Sequence, residues 1–383
     1  MRLSSLVLFP ALAATLAAAP GAAVTVRNPI DIARPNETIV LDAAGLRTLL
    51  PVDDVRKVHV RAEGSDKDLL VQAVDVNDDG VFDQLLFQAD FAPKQTRVFL
   101  LTVGDRQLAL AADYKTYGRF VRERRDDFAW ENDRIAHRMY GKELETFPRD
   151  KLISSSVDVW TKRVRSLVIN NWYMVDDYHK DHGEGGDFYS AGATRGNGGT
   201  GIWADGKLYP SANFRDSKVY AVGPIRVLFE LTYDAWDAAG VKVSETKRVS
   251  LDAGQNLDRF ESRYTIAGNA ANLEHAIGIR KLKTTEKQDA GDGGILSTWE
   301  PVKEGGELGQ AVLVDPAAVR GQVDDGLNYY VLTKIPAGEP CVSYSGFAWT
   351  LSGDFKTAAD WNRYLAGFAA GLRAPLEVKV EKR

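Results

Sequence analysis

IRVLFELTYDAWDAAGVKVSETKRVSLDAGQNLDRFESRYTIA, residues 225–267, reads as three long strands, 225–236, 241–251 and 259–267, with only short breaks between them. Apolar residues alternate or run together in each segment, as they do in strands, and no 3.6-residue period competes. Similar segments extend outward in both directions: 128–141, 157–164, 166–173, 275–282, 327–334 and 342–351. Long strands at this spacing, with few helical periods among them, predict a large antiparallel β-sandwich over 112–383.

Upstream, residues 24–111 carry shorter strand patterns: ETIVLD (37–42), KVHVRA (57–62), LLVQAVDV (69–76), FDQLLFQADF (82–91) and TRVFLLTVG (96–104). Together they predict a small N-terminal β-sandwich, with a short helix after Asp42 as its N-cap. A linker around 112–125 ends in the charged run RERRDD. One further helix is expected near the C-terminus. Thr357 and Asp360 resemble a capping box, and Trp361, Leu365, Phe368 and Leu372 then share one helical face. The fold class is therefore all-β with a C-terminal helix.

Composition narrows the function. A formal charge of −5 offers no basic field for phosphate backbones, which argues against nucleic acid as a partner. Arg2, the apolar run Leu6–Ala19 and the small residues at Ala17 and Ala19, or Gly21 and Ala23, have the layout of a signal peptide over 1–23. The run is too short for a membrane anchor. The expectation is a periplasmic or secreted protein whose mature chain starts near Ala23 or Val24. Cys341 is the sole cysteine, so no intramolecular disulfide forms.

The segment Trp172–Trp203, WYMVDDYHKDHGEGGDFYSAGATRGNGGTGIW, departs from the strand pattern. It combines two of the chain's five histidines with carboxylates, aromatics and eight glycines. Glycine at this density lets backbone approach a ligand, and a long polar, aromatic loop is usually functional when it is not disordered. His179 suits general acid–base work because imidazole titrates near neutrality, with Asp187 or Asp181 to orient it. Tyr178, Glu184 and Asp187 are further catalytic candidates, and Trp172 a binding one. A solvated polar loop without chemistry is the alternative. His179 and His182 alone are too few for a zinc site.

Read as one strand, 128–141 places Glu131, Asp133 and His137 on one face and Trp130, Asn132, Arg134, Arg138 and Tyr140 on the other. His137 could serve the chemistry, although a structural role suits it better. Trp130, Asn132, Arg134 and Tyr140 would suit a uronate: arginine holds a carboxylate bidentately and tryptophan offers a flat apolar platform. Arg280 joins this substrate-binding set. Cross-strand ion pairs are the bland alternative. In DVNDDGVFD (75–83), Asp75, Asn77, Asp79 and Asp83 match part of a calcium loop, but the closing glutamate is missing and strands flank it. It reads either as a polar hairpin turn or as a structural Ca²⁺ site; no cofactor is otherwise required.

DDFAWENDRIAHRMYG, VDVWTKRV, the run Tyr178–Tyr189, GPIRVLFELTYDAW and ETKRVSLDAGQNL together resemble a bacterial family known as domain of unknown function 4861. The resemblance spans nearly all of Val24 to the C-terminus, and Asn197 in TRGNGGTG is its one visible departure. It implies an exported protein of polysaccharide-degrading bacteria and a β region in the style of the galactose-mutarotase-like supersandwich. It assigns no catalytic residue. The expected function is thus an exported carbohydrate-active enzyme acting on uronic-acid-containing, pectin-type saccharides. In the lyase version, His179 or Tyr178 removes a proton while Arg134 and Asn132 neutralise the carboxylate. In the hydrolase version, two of Glu131, Asp133, Glu184 and Asp187 act as a pair. A mutarotase or epimerase, or a non-catalytic glycan-binding protein, are the remaining readings.

Overall fold

The computed structural model describes residues 21–148, 151–268 and 270–383. Most of the expected leader lies outside these residues, and the first strand, Ala22–Arg27, begins where that leader would end. Among the described residues no helix is long and apolar enough to cross a membrane.

The N-terminal strands form two sheets packed face to face. Arg34–Asp42, Gln84–Phe91 and Val71–Val74 make the smaller one. Alternate residues, among them Val24, Val26, Ile39, Leu41, Phe87, Phe99 and Leu101, fill the space between the sheets. The five-stranded partner sheet holds a strand from the far end of the chain: Glu377–Lys382 pairs with Ala22–Arg27, Val26 opposite Val378. The sandwich is contiguous in space but not in sequence.

The segment 225–267 forms three neighbouring strands of an eight-stranded antiparallel sheet, Arg226–Ala238, Val241–Asp252 and Leu257–Ala267. Val227 stands opposite Leu251, and Val249 opposite Phe260. This period-two register turns Val227, Phe229, Leu231, Val249, Leu251 and Phe260 into one core with Phe128, Trp130 and Val159 of a facing five-stranded sheet. A second five-stranded sheet, which includes Asn197–Ala204, Glu274–Arg280 and Asn328–Lys334, covers the rest of the large sheet through Ile277, Ile279, Leu296, Val312 and Val331. The all-β architecture expected from the alternation is therefore present. So is the C-terminal helix, Ala358–Arg373: Thr357 Oγ1 accepts from Asp360 N at 3.2 Å, and Trp361 and Leu365 are buried. Leu372, expected on that face, is 42% exposed.

Two segments differ from the strand reading, and both shape the site. Residues 128–141 are not one strand but a hairpin, Asp127–Asn132 and Ala136–Met139, with Ala136 opposite Glu131 and His137 opposite Trp130. Asn132 makes the turn: its Oδ1 accepts from Arg134 N at 2.8 Å and Ile135 N at 2.9 Å, an Asx turn that reverses the chain. Residues 166–173 are partly helical instead, Ile169–Val175. The buried Glu131 carboxylate accepts from Val168 N and Ile169 N, satisfying amides at the start of that helix, and pairs with Lys162 at 2.6 Å. Tertiary contact overrides strand propensity there.

Candidate active site

The hairpin and its neighbour Asp158–Lys162 present alternate residues to two faces. Phe128, Trp130, His137 and Met139 point into the sandwich core. Asp127, Glu131, Arg138, Asp158 and Trp160 lie on the opposite face, beneath the helix Ile169–Val175 and the loop that follows it. That loop is pinned at one place: Gly185–Gly186 pairs with Thr161 and Lys162. Gly185 takes φ +106°, and a Cβ there would stand 2.1 Å from Thr161 O, so only glycine fits. Two residues on, Asp187 donates its N–H to Tyr178 O at 2.8 Å and directs its carboxyl to Arg138 on the sheet.

Arg138 is the centre of what results. Its Nη2 contacts Asp158 Oδ2 at 2.7 Å and Asp187 Oδ2 at 2.9 Å, and its Nη1 reaches Asp127 Oδ2 at 3.4 Å. The guanidinium lies over the rings of Tyr140, Trp160 and Tyr178, at 5.2, 4.9 and 5.8 Å from their centroids. Tyr178 stacks on Trp160 and accepts from Arg124 Nε at 2.8 Å. One buried cation thus serves three buried carboxyls, and all three cannot ionise cheaply. Burial pushes Asp127 up to about 7, against the opposing pull of Arg138 and Arg124. Burial, and then the charge of Asp158, holds Asp187 well above the ordinary carboxylate range. The same two causes, in that order, keep the Tyr140 phenol protonated.

These groups line an open cavity of about 500 Å³. Its charged walls are Arg124, Arg138, Lys151, Lys303, Asp127, Asp158, Asp187 and Glu304. Cations and carboxyls are equal in number, and the upward shifts of Asp127 and Asp187 tilt the lining towards positive charge. His179 stands at the rim, its side chain 67% exposed, with Nδ1 3.1 Å from Asp187 O and 3.6 Å from Asp187 Oδ2. A proton on Nδ1 would hydrogen-bond that carbonyl and leave Nε2 as the acceptor.

Of the residues singled out in sequence, His179, Asp187 and Tyr140 line this cavity, and Tyr178 forms part of the aromatic wall under Arg138. Others belong elsewhere. Trp130 is fully buried and donates to Asp258 Oδ1 at 2.7 Å, so it offers no platform to a ligand. His137, on the core side, stacks on Trp130 and contacts Asp158 O at 2.9 Å; it braces the sheet from behind. Asn132 holds the hairpin turn. Arg134 sits in that turn and pairs with Asp354 at 2.6 Å, so the expected partnership of Arg134 with His179 is replaced by that of Arg138 with Asp187. The cause is the turn itself, which carries Arg134 to the end of the hairpin away from Arg138. Glu184 accepts from Trp172 Nε1 at 3.1 Å, which ties both residues into the loop's support outside the cavity. Glu131 is sealed beneath the helix, and Asp133 accepts from Gly254 N at 2.7 Å. Arg280 lines a neighbouring cavity.

In the loop 75–83, Asp75 accepts from Asp78 N at 2.7 Å and Gly80 N at 2.8 Å, while Asp83 accepts from Val76 N at 2.8 Å. Asn77 and Asp79 bond each other at 3.1 Å. Among the described residues no group of three or more His, Cys, Asp or Glu side chains is placed to hold a metal ion. Sequence reasoning placed Arg138 on a strand face but did not name it for the site, and it missed Asp127, Asp158 and Arg124. The available signal was an aspartate placed before Phe or Val and two residues ahead of a buried tryptophan or alanine, in DFAW and DVW.

Residues 26–378 match the family described as a domain of unknown function, DUF4861. A curated relative, the uncharacterized protein P7 of Formosa agariphila, is 33% identical over 373 residues, covering 94% of this chain and 93% of its own. Among solved structures, an α-mannosidase from Enterococcus faecalis V583 superposes with a TM-score of 0.52 at 9% identity, over 94% of this chain and 46% of its own. A glycosyl hydrolase family 38 protein from Enterococcus faecalis superposes with a TM-score of 0.56, also at 9% identity, over 94% of this chain and 47% of its own. The chain spans about half the length of these two structures, and at that identity the likeness is one of fold.

Proposed function

The chain belongs to the DUF4861 family, and we propose that it is an exported carbohydrate-active enzyme that cleaves uronate-containing glycans by proton transfer in the Arg138 cavity, most simply as a lyase. The observation that carries this reading is the crowding of three buried carboxyls on the single guanidinium of Arg138, in a cavity that Lys151, Lys303 and the rim histidine His179 also line. A cavity tilted towards positive charge, with aromatic walls, suits an acidic sugar. The match to structures of a mannosidase and a family 38 glycosyl hydrolase supports a carbohydrate setting by fold analogy.

β-Elimination from a uronate needs a base at C5, an acid at the departing oxygen and a cation beside the carboxylate. His179, with Nε2 open, accepts the C5 proton. The C4–O bond breaks as the C4=C5 bond forms, and protonated Asp187 gives its proton to the leaving oxygen. Arg138 is already occupied by three carboxyls, so Lys151 and Lys303 are the cations of the lining that would meet the substrate carboxylate. Hydrolysis would need two carboxyls about 5–9.5 Å apart on either side of the glycosidic bond. Asp158 and Asp187 instead contact the same nitrogen of Arg138, which sets them side by side and not on opposite sides of a bound sugar.

The test is direct. Purified protein is incubated with oligogalacturonides and oligoglucuronates while ultraviolet absorbance of the unsaturated uronate and reducing ends are followed together. Both should rise in step. Reducing ends without unsaturation would replace the lyase by a hydrolase, and binding without either product would make the protein a glycan-binding one.

A further inference from the structure

We propose that the cleft contains a second sugar subsite, the lobe around Arg280, so that the ligand is a chain of at least two acidic sugar residues lying across the strap 188–192. This rests on the uronate reading above and extends it from a single sugar to an oligosaccharide.

Beside the Arg138 cavity lies a second one of about 400 Å³. Phe188, Tyr189, Ser190, Ala191, Gly192 and Lys303 line both, so the two form one cleft divided by this strap. Tyr189 is fixed as the divider: its hydroxyl donates to Gln310 Oε1 at 2.8 Å, and the Arg280 guanidinium lies 3.6 Å over its ring. Arg280 ends the strand Glu274–Arg280 and is 6% exposed. Its Nη1 donates to Ser190 O at 2.9 Å and its Nη2 to the Glu300 carboxylate, but its Nε is buried and has no partner.

A buried N–H without an acceptor is costly and uncommon in a settled structure. Here it belongs to a cation lining an open lobe, and an acceptor oxygen on a ligand would satisfy it. Arg280 and Lys303 outweigh Glu300, so the lobe favours an anionic group. Phe188, Val302 and Leu308 add an apolar surface beside these donors. Apolar surface next to fixed donors is what a pyranose presents a need for: C–H faces to cover and oxygens to bind. Lys303 reaches both lobes, which places one cation between two successive carboxylates of a polyuronate.

Calorimetric titration of the full chain carrying His179→Ala, which removes the proposed base so that the oligomers stay intact, with galacturonate and glucuronate series from one to four residues tests this. Affinity should rise about tenfold on going from the monosaccharide to the disaccharide or trisaccharide. Ala193→Trp places a bulky side chain from an exposed position into the lobe, and it should bring that ratio close to one. Arg280→Lys keeps the charge but removes Nε and should lower the ratio as well; if that variant fails to fold, Ala193→Trp decides alone. An affinity of the His179→Ala protein that does not depend on chain length, or a length step that survives the added Ala193→Trp, overturns the second subsite and leaves the uronate reading standing. Absence of binding at every length in both series overturns both.

Discussion

At the scale of single residues, Arg138 sets the electrostatics of the cavity by being outnumbered three to one by carboxyls. Asp127 titrates at about 7 in the fold against an ordinary 3.8, so the folded state binds an extra proton between those values. Stability from this group is therefore greatest below about pH 4 and falls as pH rises towards 7. Asp127→Asn should flatten that slope and raise the melting temperature at pH 8 relative to the unsubstituted protein, while lowering turnover. Thermal melts at pH 5 and pH 8 measure it, and an unchanged slope would contradict the assignment. Asp187→Asn removes the proposed proton donor, and His179→Ala the proposed acceptor. Each should reduce kcat by about 10²–10⁴ with little change in melting temperature for the exposed His179. If His179→Ala leaves the rate intact, another group is the base. His179 and Asp187 were legible from residue type and loop composition. Asp127 and Asp158 were not, because an aspartate at the start of an apolar strand reads as a boundary until the facing arginine is known.

At the scale of elements, the site depends on a hairpin turn and a two-residue bridge. The pattern in 128–141 showed alternation correctly, but the Asx turn at Asn132 shifts the sorting of faces beyond it in a way that period two cannot show. Gly185 is where the loop meets the sheet. Gly185→Ala would put a methyl group against Thr161 O in a backbone conformation that L residues avoid. Activity should drop at least about tenfold, since Asp187 follows two residues later and small displacements of catalytic groups are expensive. Hydrogen exchange should rise in 176–192 more than in the strands 226–267 if the damage is local; a uniform rise would show that the bridge supports the whole fold. The C-terminal helix behaves as its capping pattern predicts, and Thr357→Ala should cost about 1 kcal/mol in denaturant unfolding.

At the scale of the whole molecule, the ends of the chain close the N-terminal sandwich. Glu377–Lys382 pairs along all of Ala22–Arg27, and Leu376 and Val380 pack against its core. Ending the chain at Ala374 would expose an edge strand and remove these contacts. Stability should fall by about 2 kcal/mol or more, with aggregation through the uncovered strand. Scanning calorimetry and light scattering read both effects, and an unchanged transition would mean that the strand only decorates the sheet.

The all-β class, the long antiparallel sheet, the capped helix and the family all follow from sequence by itself. Alternation, caps and motifs are local signals, complete within ten or twenty residues. The tertiary structure alone decided which charged residues meet. Arg138 binds Asp158 and Asp187, 20 and 49 positions away, because strand register and the Gly185 bridge bring them to one nitrogen. Arg134, a neighbour in sequence of the same chemical type, is turned away to Asp354. Ion pairing at such separations depends on geometry summed over several elements, and residue type carries none of that sum.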